Sequence, residues 1–238
     1  MNPSTAQALV IVDELLRCGV TDVVLAPGSR SAALALACAA AEERGDLNLH
    51  VRLDERVAGF VALGIAKVTG VPAAVITTSG TAVANLLPAV VEAHYSRVPM
   101  MVLTADRPPR LRDVGANQTI RQPGIFGTYA RANVDMGVAQ ERHGQVAYWR
   151  SVIARSVAVA TDVVIPGPVH VNVPFEAPLV PDSDTPWLEE HAGRPDGRPW
   201  TADARLMAGM STPLDDVLQM LDEEAVVPAR GVIVVGDH

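Results

Sequence analysis

Short apolar runs alternate with helical ones along most of this chain, and no other feature limits its fold as tightly. Residues 22–26, 47–53, 71–77, 99–104, 131–136 and 168–173 read as strands. Helical patterns separate most of them, over residues 4–17, 32–43, 55–69, 82–94 and 146–161, with Ser4 or Thr5 as the first cap. Strands alternating with helices imply an α/β fold, a parallel sheet with helices on both faces. Strand order cannot be read from the pattern. The hydrophobic content of 49% with only 4% aromatics means that Val, Ala, Leu and Ile must fill the core, as suits buried parallel strands.

Within the 55–69 helix, Val57, Val61, Ile65 and Val68 form the expected apolar stripe. Gly59 and Gly64 each weaken a helix by about 1 kcal/mol relative to Ala, which suggests close packing against another backbone. Pro88 predicts a kink or break inside 82–94. The composition changes after residue 174, where prolines recur and acidic residues intervene. We expect an α/β domain over 1–180, a Pro-rich linker over 181–205, and the start of a second α/β domain over 206–238, with a helix at 214–223 and a strand at 231–235.

Charge and cysteine usage narrow the function. A net charge of -8 argues against a nucleic-acid surface. Cys18 and Cys38 both fall in helical patterns and do not form a disulfide framework. No apolar run reaches the length of a membrane span and the N-terminus has no signal-peptide pattern, so a cytoplasmic protein is expected. None of the six histidines has zinc-ligand spacing, and no G-x-S-x-G elbow occurs.

Ligands in parallel sheets bind beyond the carboxyl ends of the strands. The loops there are 27–31, 54–55, 78–81 and 105–118. Glu55 opens a helix at a strand end; such a carboxylate ordinarily serves the helix dipole, but an apolar, glycine-containing helix argues that it is buried. Pro27, Gly28 and Ser29 form a turn before a helix start suited to an anion, and Arg30 adds a two-pronged donor. Thr78, Ser79 and Gly80 lack the ending of a phosphate loop, and Gly80 lets backbone approach a ligand. Arg107, Asn117 and Gln118 supply donors on a long polar loop. Arg97, at a helix end, is read as a helix-capping cation or a second anion site.

Taken together, Asp54-Glu55-Arg56, Gly64-Ile65-Ala66-Lys67, Thr77-Thr78-Ser79-Gly80-Thr81 and Asn85 resemble the pyrimidine-binding domain of thiamine-diphosphate enzymes. Residues 26–31, 104–109 and 115–124 are similar to one branch, the 2-succinyl-5-enolpyruvyl-6-hydroxy-3-cyclohexene-1-carboxylate (SEPHCHC) synthases, or MenD proteins, of menaquinone biosynthesis. The Arg- and Ala-rich composition resembles its actinobacterial and mycobacterial members. Most of the superfamily carries Gly-Pro-Gly where this chain has Gly80-Thr81-Ala82, and Ser79-Gly80-Thr81 is the form that this branch shows.

The resemblance implies a transferase that uses thiamine diphosphate and Mg²⁺. It would decarboxylate 2-oxoglutarate and add the resulting succinyl-semialdehyde carbanion to isochorismate. Glu55 would be the catalytic acid on the cofactor's aminopyrimidine. Pro27, Gly28, Thr78, Ser79, Gly80 and Asn85 would line the cofactor, and Ser29, Arg30, Arg107, Asn117 and Gln118 would bind substrate. The family's diphosphate-binding domain, with its Mg²⁺ ligands, does not appear in these residues, so we read them as the N-terminal part of a longer protein. The fragment alone would then be inactive, and its site would form between subunits of a homodimer or homotetramer. An acetolactate-synthase-like carboligase and a non-catalytic binding domain are the alternatives.

Overall fold

The computed structural model describes residues 1–182 and 186–201. The helix and strand expected at 214–223 and 231–235 lie outside the described residues. Six parallel strands form one sheet: β1 (Asp22–Leu25), β2 (Asn48–Val51), β3 (Ala73–Thr77), β4 (Met100–Asp106), β5 (Ala132–Asp135) and β6 (Pro168–Pro174). Their spatial order is β2-β1-β3-β4-β6-β5, every neighbouring pair parallel. Helices α1 (Pro3–Arg17), α2 (Ala32–Glu43) and α6 (Gln145–Ala160) cover one face, and α3 (Glu55–Thr69) and α5 (Leu87–Tyr95) the other. The period-2 alternation of a strand explains the two cores. In β4, Met101, Leu103 and Ala105 join the first, while Met100 and Val102 join the second.

The central strands β3, β4 and β6 are buried along their whole length. Strand β2 is an edge and shorter than expected, four residues of mixed exposure. Strand β4 runs two residues beyond its expected end, which makes Asp106 a buried strand residue and not part of the loop.

Helix α1 starts on Asn2, not on Ser4 or Thr5. The Asn2 side chain accepts from the Thr5 N–H at 2.9 Å and Pro3 takes the first turn, while Ser4 Oγ donates to the Glu176 carbonyl. The expected break near Pro88 occurs just ahead of it. A short α4 (Thr81–Ala84) ends, and Pro88 sits in the first turn of α5, where its missing N–H costs nothing.

Helix α3 reverses part of the sequence expectation. Its buried residues are Ala58, Gly59, Ala62, Leu63 and Ala66, not the Val57–Val68 stripe. Small side chains let the helix lie close to α5, where a methyl added at Gly59 would stand 3.0 Å from Ala89 Cβ. Gly64 does not serve that purpose, since nothing lies within 4 Å of its would-be methyl. The two ends of the stripe face outward, Val57 45% and Val68 88% exposed, while Val61 and Ile65 between them are half-buried against the second core.

The Pro-rich segment is strapped to α1 and α6. Arg150 is fully buried between Glu14 and the His191 carbonyl; Glu14 also accepts from the Trp200 N–H, and the Glu189 carboxylate accepts from the Gly144 and Val146 N–H groups at the start of α6. Among the described residues no helix is long and apolar enough to cross a membrane. Both cysteines are free, and burial pushes the Cys38 thiol up to about 12.

Candidate active site

The strand order reverses between β1 and β3: from β1 the chain steps outward to β2, then returns to the other side. Loops beyond such a point diverge and leave a crevice. Here residues 27–31 and 78–81 face each other so closely that a methyl on Gly28 would lie 2.4 Å from Thr78 Cβ. The Arg30 N–H donates to Thr78 Oγ1 at 3.3 Å. Ser31 Oγ donates to the Gly28 carbonyl, and neither the Ser29 nor the Ser31 side chain makes a capping bond to the helix that follows.

Gly80 stands at φ 87°, ψ -144°, which a side chain would strain. A methyl there would also meet Gln118 Cγ at 2.9 Å. Ser79 Oγ donates to the Gln118 carbonyl at 3.0 Å, and Gln118 Nε2 donates back to the Ser79 carbonyl at 3.1 Å. Arg107 joins the same cluster, with Nη1 donating to Ser79 Oγ at 2.5 Å and to the Gln118 carbonyl at 2.7 Å. Gln118 itself has φ 54°, so the loop turns sharply where it meets Gly80.

Two guanidinium groups therefore stand near one crevice without hydrogen-bonded carboxylates. Arg30 Nη1 donates to the Phe175 carbonyl at 3.0 Å, while its Nε is buried and has no partner. Burial, and then the neighbouring charge of Arg107, weaken Arg30's hold on its proton. Asp106, adjacent to Arg107 in sequence, is committed elsewhere. Its carboxylate pairs with Arg112 at 2.8 Å and takes the Asn172 side-chain amide at 2.9 Å. Hydrogen bonds to Asp135, reinforced by Asp106, strengthen the proton affinity of Arg112. Arg107 is left to act on something else.

Glu55 begins α3, one residue after its cap Asp54, whose side chain accepts from the Val57 N–H. It follows edge strand β2, and β1 lies beside that strand through the Arg52 N–H to Leu25 carbonyl bond. The carboxylate is half-buried, not buried as expected, and no hydrogen bond or ion pair joins it to another described residue. The reason is the outward turn of α3's valines, which leaves the first turn uncovered. Leu53, two residues before Glu55, is 86% exposed.

The structure thus brings Gly28, Arg30, Thr78, Ser79, Gly80, Arg107 and Gln118 together, with exposed Pro27 and Ser29 on the first of these loops. Asn117 and Asn85 are exposed, and their side chains bond to no described residue. Arg97 lies before β4, at the amino end of the sheet, with φ 53° and a bond to the Val164 carbonyl at 3.5 Å. It is remote from the crevice. Sequence reasoning gave no role to Gln122, Asn172, His170 or Asp135, which wire the loops from below. The available signal was His170 and Asn172 at i and i+2 in an otherwise apolar run, on one face of a central strand.

Comparison with known proteins decides what the crevice belongs to. The family model described as "Thiamine pyrophosphate enzyme, N-terminal TPP binding domain" matches residues 6–125. The chain belongs to the thiamine pyrophosphate enzyme family. Curated relatives named 2-succinyl-5-enolpyruvyl-6-hydroxy-3-cyclohexene-1-carboxylate synthase are similar to it. The protein of Saccharopolyspora erythraea is 56% identical over 201 residues, covering 84% of this chain and 36% of that protein. Those of Mycobacterium ulcerans and Mycobacterium tuberculosis are 54% and 52% identical over 207 residues, again 84% of this chain and 38% and 37% of theirs. The chain therefore spans little more than a third of the relatives it matches.

The residues fit one half of thiamine pyrophosphate. A carboxylate without a partner, beside an apolar surface and next to the switch-point crevice, suits an aminopyrimidine ring that offers a ring nitrogen. The described residues include no group of three or more His, Cys, Asp or Glu able to hold a metal ion. Among the described residues the polar crevice loops offer hydrogen-bond donors and no carboxylate cluster.

Proposed function

We propose that this chain is the pyrimidine-binding part of a SEPHCHC synthase, a transferase of menaquinone biosynthesis acting on 2-oxoglutarate and isochorismate. The observation that carries the reading is the pair Arg30 and Arg107, two guanidiniums at one crevice that hydrogen-bond to no carboxylate among the described residues. Both proposed substrates are carboxylic acids, and the relatives' names support the reading. Bound thiamine diphosphate supplies the nucleophilic carbon and the electron sink for decarboxylation.

The chain's own residues then divide the work. Glu55 holds a proton shared with the ring nitrogen of the aminopyrimidine. Pro27, Gly28, Thr78, Ser79, Gly80 and Asn85 frame the cofactor, Gly28 and Gly80 by letting backbone approach. Arg30 and Arg107 grip substrate carboxylates in charge-assisted bonds, with Ser29, Asn117 and Gln118 adding donors. Mg²⁺ and the diphosphate belong to a diphosphate-binding domain beyond residues 1–180, after a linker over 181–205 and a central domain starting near 206.

That domain would come from another subunit of a homodimer or homotetramer in the cytoplasm. Support comes from the outer face of α3, where Val57 and Phe60 are exposed in the first turns after Glu55 and Val68 is exposed further along. Covering them would bury apolar surface and exclude water from the carboxylate, the condition under which proton sharing is efficient. Arg97 is assigned to a separate, regulatory anion site. The test is product analysis of the full-length protein with thiamine diphosphate and Mg²⁺. SEPHCHC from 2-oxoglutarate and isochorismate is expected; acetolactate from pyruvate, with no SEPHCHC, would move the protein to another branch of the family.

A further inference from the structure

Beneath the crevice lies a closed circuit of hydrogen bonds that no assigned role uses. Gln122 is fully buried. Its Oε1 accepts from the Gly80 N–H at 2.8 Å, and its Nε2 donates to the Ala105 carbonyl at 3.1 Å and to Asn172 Oδ1 at 2.9 Å. Asn172, also fully buried, donates through Nδ2 to Asp106 Oδ2 and Asp135 Oδ1. Asp106 Oδ1 accepts from the Arg107 N–H at 2.7 Å, and the Arg107 guanidinium returns to Ser79, next to Gly80. The circuit runs from Gly80 through Gln122, Asn172, Asp106 and Arg107 back to Ser79.

Both amides have one permissible orientation. Gln122 Nε2 meets two oxygens that can only accept, so a flipped amide would lose both bonds and oppose its oxygen to them. Asn172 Nδ2 faces two carboxylates, and its Oδ1 takes the Thr104 hydroxyl as well, at 3.0 Å. The Thr104 hydroxyl, having donated, accepts from His170 Nε2 at 2.7 Å. With every polar atom of the Gln122 and Asn172 amides engaged, the network holds these two side chains in a single geometry.

We propose that Gln122 is a positioning residue that couples the glycine loop after β3 to the arginine loop after β4, so that Ser79, Gly80, Arg107 and Gln118 present one preset surface to the substrate carboxylate. Gln122 touches neither cofactor nor substrate; it acts through the Gly80 backbone and through Asn172 and Asp106. The proposal deepens the reading of these loops as a carboxylate site and rests on it.

Two substitutions in the full-length protein test it. Gln122→Met keeps the length and removes every polar atom. Gln122→Glu, when protonated, keeps an acceptor for Gly80 and one donor toward Asn172; ionised, it offers acceptors only. The groups facing it are Asp106, Asp135, Arg112 and His170 around Asn172. Hydrogen exchange read by mass spectrometry on peptides containing Gly80 and residues 107–118 needs no substrate. We expect Gln122→Met to speed exchange in both peptides at least 10-fold and to raise the KM for 2-oxoglutarate about 10-fold, with kcat changing less. Gln122→Glu should keep a near-wild-type KM at pH 6 and approach the Met variant at pH 8.5, a dependence absent from the wild type. Unchanged exchange in both peptides would overturn the coupling. Faster exchange with an unchanged KM would overturn the positioning role. If the wild type used neither acid, the substrate assignment would fall while the exchange result still judged the coupling.

Discussion

On the β4-β6-β5 side of the sheet the polar groups at the strand ends satisfy one another, whereas on the β2-β1-β3 side Glu55 meets no partner among the described residues. Asp106, Arg112, Asp135, Asn172, Gln122 and Gly80 form a network rooted in buried strand residues. Glu55 rests on an edge strand and a helix whose outer face is apolar and open. On the proposed reading, the difference separates what one domain can preorganise from what it would share. A substrate-carboxylate surface needs fixed donors, which the fold supplies from its own core. A proton-sharing carboxylate needs exclusion of water, and here another protein surface would provide it.

If that contrast holds, substitutions at the buried strand residues of the wired side should register as stability, and those at Glu55 as chemistry. The largest expected effect is Asp106→Ala. Asp106 is fully buried, and its removal breaks its bonds to Arg112, Asn172 and the Arg107 N–H, hydrogen bonds to a charged group worth about 1.5–3 kcal/mol each, while Arg112 keeps Asp135. Chemical denaturation of the variant against the wild type measures it, and a loss below about 1 kcal/mol would show that the network is looser than its geometry implies.

His170 comes next. Burial pushes it from 6.5 to about 4, so the folded state keeps it neutral where the unfolded chain binds a proton. Its contribution is complete above pH 6.5 and is lost as pH falls toward 4, about 3 kcal/mol over that window. Denaturation midpoints at pH 7 and pH 4.5 should differ accordingly, and His170→Gln should flatten that part of the profile. A smaller effect is expected from Arg107→Ala, which removes charged hydrogen bonds worth about 1.5–3 kcal/mol. The KM for the acidic substrates should rise about 10- to 100-fold, with little change in melting temperature. An equal loss of stability would mean that Arg107 serves the network more than the ligand.

The parallel α/β class was legible because period-2 and helical periods are local properties of the chain. The break near Pro88 was legible for the same reason, since proline acts on its own neighbourhood. Strand order was not, because it depends on contacts between distant segments. The valine stripe of α3 misled in an instructive way: periodicity shows that a face is apolar but not which surface covers it. Alanines and a glycine, less conspicuous than valines, took the inner face because α5 approaches too closely for larger side chains. At the candidate site, Arg30, Arg107 and Gln118 were singled out from their loop positions and from the resemblance, and the structure gathers their loops at one crevice. Gln122 was not, because its role lies in bonds to Gly80 and Asn172, 42 and 50 residues away.

The account turns on Glu55 acting on the cofactor without holding the domain together. The most direct measurement is exchange of the C2 proton of thiamine diphosphate bound to the full-length protein, followed by quenched-flow NMR, in the wild type and in Glu55→Gln. Exchange about 10²- to 10⁴-fold slower in the variant, with cofactor affinity and melting temperature unchanged, is the predicted result. Wild-type exchange in Glu55→Gln would contradict it and leave the carboxylate as a helix-end charge.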